Sequence, residues 1–89
     1  MSTTTDDAAV TELSADDFRE RLRELPPSAK LVAKVLEDEP PLPQGRLAEE
    51  SLLPDRTVRY ALNRLEEAGL IDARYSFRDA RKQVYYLVD

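Results

Sequence analysis

Neither cysteine nor histidine occurs anywhere in the 89 residues. The first absence excludes a disulfide framework and a thiolate metal site. The second removes the commonest catalytic base and the commonest zinc ligand together. No apolar run approaches the roughly 20 residues that a membrane-spanning helix needs. The N-terminus is rich in Ser, Thr and Asp and lacks the basic-then-apolar order of a secretory signal. Nothing matches a phosphate-binding loop, a nucleophile elbow or a metal motif. Carboxylates do cluster at Asp16, Asp17 and Glu20, and again at Glu37-Asp38-Glu39. With no pocket and no other polar catalyst beside them they read as solvated surface. The expectation is a soluble, cytoplasmic chain that is not an enzyme and has no cofactor or metal.

Lysine is also scarce, with three Lys beside ten Arg, and the net charge is −5 with a pI near 4.7. An acidic excess poor in lysine predicts adaptation to a salty, halophilic interior, where high net charge maintains solubility. The distribution of charge is more informative than its sum. Residues 1–25 carry a net −4, residues 26–54 a net −2, and residues 55–89 a net +1. The bases of that last part fall in two groups, Arg56, Arg59 and Arg64 and then Arg74, Arg78, Arg81 and Lys82.

A chain of this length makes one domain. Residues 1–12 are polar and acidic without apolar period, so a disordered tail is expected there. The folded domain itself is expected to span residues 13–89. Ser14 is a good N-cap for a first helix, with Asp17 three residues on and Leu13 and Phe18 placed for a hydrophobic staple. Phe18, Leu22 and Leu25 recur at helical spacing, and Pro26-Pro27 ends the segment. Ser28 is expected to cap a second helix whose apolar stripe is Leu31, Val32, Val35 and Leu36. Pro40, Pro41 and Pro43 then force an extended stretch with a short strand near Leu42.

A third helix is expected from Gln44 to Ser51, with Leu47 and Ala48 inward. The turn Ser51-Leu52-Leu53-Pro54 leads into a fourth helix over about residues 55–68. There Val58, Ala61, Leu62 and Leu65 stand at i, i+3, i+4 and i+7, an amphipathic pattern. Gly69 ends that helix as a C′ residue, and Leu70 is placed to fold back onto Leu65. The pattern then changes to period two. Ile71, Ala73 and Tyr75 alternate with polar residues, and Val84 to Val88 is rich in strand formers. The charged residues 77–82 between them make the tip of a hairpin. Tyr85 and Tyr86 must face opposite ways, so one of them lies on the outer face of the sheet.

Two short helices, a tight turn and a basic hairpin make a winged helix-turn-helix. The class is α+β, mainly α, with an N-terminal helix, a three-helix core and a C-terminal hairpin wing. Advancing about 100° per residue from Val58 puts Ala61, Leu62 and Leu65 on the buried face. Arg56, Tyr60 and Asn63 fall roughly opposite, with Arg59 and Arg64 on the flanks. A recognition helix places its N-terminal half in the major groove, where Arg pairs with guanine and Asn with adenine. Thr57 near the helix start is placed for a phosphate or a base edge. At the hairpin tip, Arg78, Arg81 and Lys82 stand where wings touch phosphates or enter the minor groove. The Arg46–Ile71 stretch, with Thr57-Val58, Leu62, Leu65-Glu66 and Gly69-Leu70-Ile71 in fixed spacing, resembles the helix-turn-helix of MarR-like winged-helix regulators, particularly the compact archaeal ones. The similarity extends over about residues 28–88.

The resemblance implies a regulator of transcription that binds double-stranded DNA in sequence-specific fashion as a homodimer. With Asp89 directly after the second wing strand, the N-terminal helix is the expected dimerisation element, and a small-molecule effector pocket is not expected. The alternative is a winged helix used as a protein-interaction adaptor, since fold does not fix function. The acidic balance favours the adaptor. The separation of a basic helix and wing from an acidic remainder favours DNA.

Overall fold

The computed structural model describes residues 14–88. The expected acidic tail of residues 1–12, and the staple through Leu13, lie outside those residues. Helix α1 spans Ala15–Arg23, α2 Pro27–Asp38, α3 Gln44–Ser51 and α4 Asp55–Glu67. Strand β1 is Leu42–Pro43, β2 is Ile71–Tyr75 and β3 is Gln83–Leu87. The three strands form one antiparallel sheet in the order β1-β3-β2. Among the described residues, four helices and a small sheet with this connectivity make a winged helix-turn-helix.

The start of α1 follows the sequence. The Ser14 hydroxyl accepts the Asp17 backbone N–H at 3.1 Å, satisfying one of the donors a helix start leaves open. Acids Asp16 and Asp17 in the first turn and Arg21 and Arg23 in the last complement the helix dipole. Phe18 is the residue α1 buries, and Leu25 drops into the core just past the helix end.

Helix α2 departs from the sequence reading in two ways. Ser28 is not its cap. Pro26 takes that position and Pro27 is the first helical residue. Proline supplies the starting φ and has no N–H to satisfy, so the start needs no side-chain acceptor. The buried stripe is also rotated. Ala29, Val32, Ala33 and Leu36 are buried, whereas Leu31 is 41% exposed and Val35 only half-buried. The two alanines present low ground on which α4 can lie closely, and the expected stripe passed over them in favour of larger side chains. Helices α2 and α4 form the most extensive helix pair in the fold.

Pro43 sits in edge strand β1, where a missing N–H breaks no ladder on the solvent side. Leu42 pairs with Tyr85 and Pro43 with Val84. This pairing fixes the start of α3 beside the wing. Helix α3 buries Leu47 and ends at Leu52, a left-handed residue with φ 62°. The buried Ser51 hydroxyl accepts the Leu53 N–H at 3.3 Å and braces the turn. Leu53 packs against the core, Pro54 caps α4, and α4 buries Val58, Ala61, Leu62 and Leu65 as expected.

Helix α4 ends in a complete Schellman motif. The Gly69 N–H reaches the Glu66 carbonyl and the Leu70 N–H the Leu65 carbonyl, each at 2.9 Å. Gly69 has φ 75°, which glycine adopts without a Cβ clash. A second partner closes the same helix end, because Arg21 Nη1 donates to the Ala68 carbonyl at 2.9 Å. The fully buried Leu70 then starts the hairpin, and its carbonyl accepts the Val88 N–H at 2.9 Å. Helix α4 and the hairpin are therefore joined by a corner held by backbone hydrogen bonds.

Leu52 combines a left-handed backbone with 88% exposure of a leucine side chain. A branched L-residue there costs about 1–2 kcal/mol, and asparagine tolerates the region better. Leu52→Asn is expected to stabilise the fold by about 0.5–1 kcal/mol, and β-branched Leu52→Ile to destabilise it. Urea denaturation midpoints of the three proteins check this. Equal midpoints would show that the turn carries no such cost.

Candidate nucleic-acid interface

The buried stripe of α4 determines what its other side presents. With Val58, Ala61, Leu62 and Leu65 inward, Arg56, Arg59, Tyr60 and Asn63 stand outward at i, i+3, i+4 and i+7 and are all exposed. No acid lies between Asp55 and Glu66. Tyr60 keeps 48% of its surface in solvent, a large exposed area for an aromatic ring in the middle of a helix. Thr57 is half-buried and sits at the shoulder of this stripe.

Arg64 is placed differently from the other two arginines. Its Nη1 donates to the Tyr60 hydroxyl at 3.0 Å, and its guanidinium lies 5.9 Å from that ring's centroid. It also pairs with Glu67 at 3.7 Å. Arg64 is therefore engaged within the helix and braces Tyr60. Arg56 and Arg59 have no ion-pair partner among the described residues.

The wing tip, residues 76–82, is a closed loop. The Ser76 N–H donates to the Lys82 carbonyl at 2.8 Å and the Lys82 N–H to the Asp79 carbonyl at 2.9 Å. The Ser76 hydroxyl accepts the Arg78 N–H at 3.2 Å, and Asp79 Oδ1 accepts the Arg81 N–H at 3.0 Å. Arg78, Arg81 and Lys82 are all exposed on this frame. Arg81 pairs with Asp79 at 3.5 Å while remaining 92% exposed, a contact of little energetic weight.

The sheet brings the wing and the helices together. One open cleft runs from Pro43, Gln44 and Gly45 at the start of α3 to Arg81, Lys82 and Tyr85 of the hairpin. A second, smaller one is lined by Gln44, Asp55, Arg56 and Arg59. Gln44 borders both, and its Nε2 donates to the Asp55 carbonyl at 3.3 Å. Sequence reasoning did not single out Gln44. Only the pairing of β1 with β3 shows that this residue stands between the recognition helix and the wing. Its one sequence signal is a polar residue directly after a strand-ending proline.

The two neighbouring tyrosines of β3 separate as alternation requires. Tyr85 packs against the core. Tyr86 lies on the other face, where the Arg74 guanidinium covers it at 5.6 Å from the ring centroid. Burial raises the Tyr85 phenol above its ordinary value of 10.0. The Glu66 carboxylate adds to the rise and the Arg59 guanidinium opposes it, which places both charged groups of α4 within electrostatic reach of the wing. Arg46, in contrast, lies among Glu39, Glu49 and Glu50 at 3.9, 3.6 and 3.0 Å and is neutralised there.

Among the described residues no group of three His, Cys, Asp or Glu is arranged to hold a metal ion, and no helix is long and apolar enough to cross a membrane.

A raised phenol binds its proton more tightly in the folded than in the unfolded state. The stability it supports is full below the unfolded value near 10 and falls as pH rises through the folded one. The tyrosinate absorbance titration of the native protein is expected to contain a component above 10.0 that Tyr85→Phe removes. Glu66→Gln is expected to lower that component and Arg59→Ala to raise it. If neither charge substitution moves it, the coupling of α4 to the wing through Tyr85 is refuted.

Comparison with known proteins agrees with this geometry. A family model described as winged helix-turn-helix DNA-binding matches residues 33–72, which run from within α2 through α4 to the start of β2. The PcaV transcriptional regulator of Streptomyces coelicolor, solved with its natural ligand, superposes with a TM-score of 0.70 at 29% identity, over 74% of this chain and 47% of that one. A zinc-responsive MarR family member, ZitR of Lactococcus lactis, gives 0.65 at 25% identity over 72% and 44%. A probable transcriptional regulator of Pseudomonas aeruginosa gives 0.70 at 24% identity over 75% and 51%. The chain thus spans about half the length of these proteins. No curated protein sequence matches it significantly.

Proposed function

We propose that this chain binds double-stranded DNA as a transcriptional regulator, with α4 in the major groove and the hairpin tip on the flanking backbone and minor groove. The observation that carries the reading is the outward stripe Arg56, Arg59, Tyr60 and Asn63, free of acid and held on the second helix of a helix-turn-helix. A helix of 13 residues is about 20 Å long and fits a groove about 12 Å wide. Arg56 and Arg59, at its N-terminal end, are the residues that would reach guanine edges, and Asn63 an adenine. Thr57 and Gln44 are placed for phosphates, and Arg64 acts by holding Tyr60. Arg78, Arg81 and Lys82 supply wing contacts. The likeness to MarR family regulators supports the same assignment.

Three finer readings accompany it. The acidic, lysine-poor composition fits a compact archaeal regulator adapted to high salt. At about 1 M salt, charges are screened within ~3 Å, so affinity would rest on close contacts rather than on long-range attraction. Helix α1, which buries little beyond Phe18, is the element available to pair two copies. Paired copies would read half-sites about one helical turn apart. The chain as a whole is read as a cytoplasmic protein.

Selection from a random-sequence duplex pool tests the reading. The native protein is expected to enrich discrete sequences, and Arg56→Ala/Arg59→Ala to lose at least about tenfold in affinity for them, since each bidentate pair contributes about 1–3 kcal/mol of discrimination. Enrichment of no DNA by the native protein would overturn the regulator reading in favour of a protein-binding adaptor, which the net acidity also suits. Repeating the binding across a salt series tests the composition argument separately. A shallow or inverted dependence is expected, and a steep loss with rising salt would refute the high-salt adaptation alone.

A further inference from the structure

Phe77 is 98% exposed, the most exposed large apolar side chain among the described residues. It stands at the first bend of the wing tip, between Ser76 and Arg78. Loop slack does not account for it. The four hydrogen bonds that close residues 76–82 turn the backbone polar groups of the tip inward on themselves. The ring is left outside that frame, with no core residue packed against it. A rigid mount for an unburied aromatic is an arrangement suited to insertion into something else.

The surroundings of the ring indicate what that is. Arg74, Arg78 and Lys82 line the same depression as Phe77, with Asp79 the one acid among them. Asp79 is turned into the loop by its bonds to the Arg81 N–H and side chain. An apolar tip ringed by cations suits a polyanion that also offers an apolar interior. DNA has that combination, with phosphates outside and stacked bases within. The hairpin also projects from the corner at Gly69-Leu70 that ends α4, so its tip flanks the proposed major-groove helix.

We propose that Phe77 is a wedge that enters the minor groove beside the recognition site and unstacks one base step, bending the DNA, while Arg78 and Lys82 hold the phosphates on either side. This rests on the DNA-binding reading above and extends it to the shape of the bound DNA. Apolar wedges of this kind kink duplexes by about 20–90° toward the major groove. Pyrimidine–purine steps deform most easily, so the enriched sequences should carry such a step at a fixed distance, about half a helical turn, from the bases read by α4. Specificity would then extend to a position that no side chain reads by hydrogen bonding.

The test uses a duplex enriched by the native protein, labelled at its ends for energy transfer and carrying 2-aminopurine at the flanking step. The native protein is expected to shorten the end-to-end distance and to raise 2-aminopurine fluorescence severalfold. Phe77→Ala should abolish both signals and weaken binding about three- to tenfold, with the α4 footprint unchanged. Phe77→Leu should retain part of each, and Arg78→Ala should weaken binding with the bend preserved. Because the ring is unburied, Phe77→Ala is expected to fold as the native protein does, which circular dichroism checks. A native complex that is straight, or a bend that survives Phe77→Ala, overturns the wedge while leaving DNA binding intact. A change in sedimentation mass on Phe77→Ala with the bend retained likewise overturns it and assigns the ring to contact between copies. If selection enriches no duplex, both readings fall together.

Discussion

Everything that positions this interface depends on the packing of α4 across α2. Val58, Ala61, Leu62 and Leu65 meet Ala29, Val32, Ala33 and Leu36, and all eight are buried. Alanines on both helices leave room for a close approach of the two backbones, and the larger buried side chains belong to one apolar cluster. Because one face of α4 is fixed in this way, the opposite face has one orientation in space. A change of volume at Ala33 or Ala61 would therefore disturb the direction of Arg56 and Arg59 without touching either. Core and interface are two sides of the same 13-residue helix.

The wing inherits its position from the same helix. A Schellman turn at Gly69, a buried Leu70 and the bond from Val88 back to the Leu70 carbonyl leave little freedom where α4 passes into the hairpin. On the far side, the two residues of β1 join β3 and so attach the start of α3 to the wing. Arg21 adds a tie from α1 to the end of α4. The two basic groups, far apart in sequence, thus share one frame. Among the described residues no buried side-chain nitrogen or oxygen lacks a partner, and the buried Ser51 hydroxyl is satisfied by the Leu53 N–H.

Charge follows the same division. The chain is acidic overall, yet Arg56 and Arg59 have no ion-pair partner among the described residues, whereas Arg46 is surrounded by three carboxylates. Total charge governs solubility and long-range attraction, and local charge governs what a surface can touch. An acidic protein can therefore present a cationic face to DNA if the cations are segregated, as they are here between α4 and the hairpin tip.

The elements were legible from local pattern alone. Period and capping signals placed Ser14, the α4 stripe, the Gly69 terminus and the two wing strands, because those signals arise from contacts within a few residues. They also marked Arg56, Arg59, Tyr60 and Asn63 as an outward set, since the face opposite a strongly apolar stripe follows from helical geometry alone. The reading failed where the local pattern was ambiguous. At Ser28 two prolines made a cap unnecessary, and at Leu31 a larger side chain was preferred to alanines that the neighbouring helix requires. Tertiary structure alone decided that Gln44 stands between helix and wing and that Phe77 has no cover. Each of these depends on which distant segment lies alongside, and that is settled by strand pairing and helix packing rather than by any spacing along the chain.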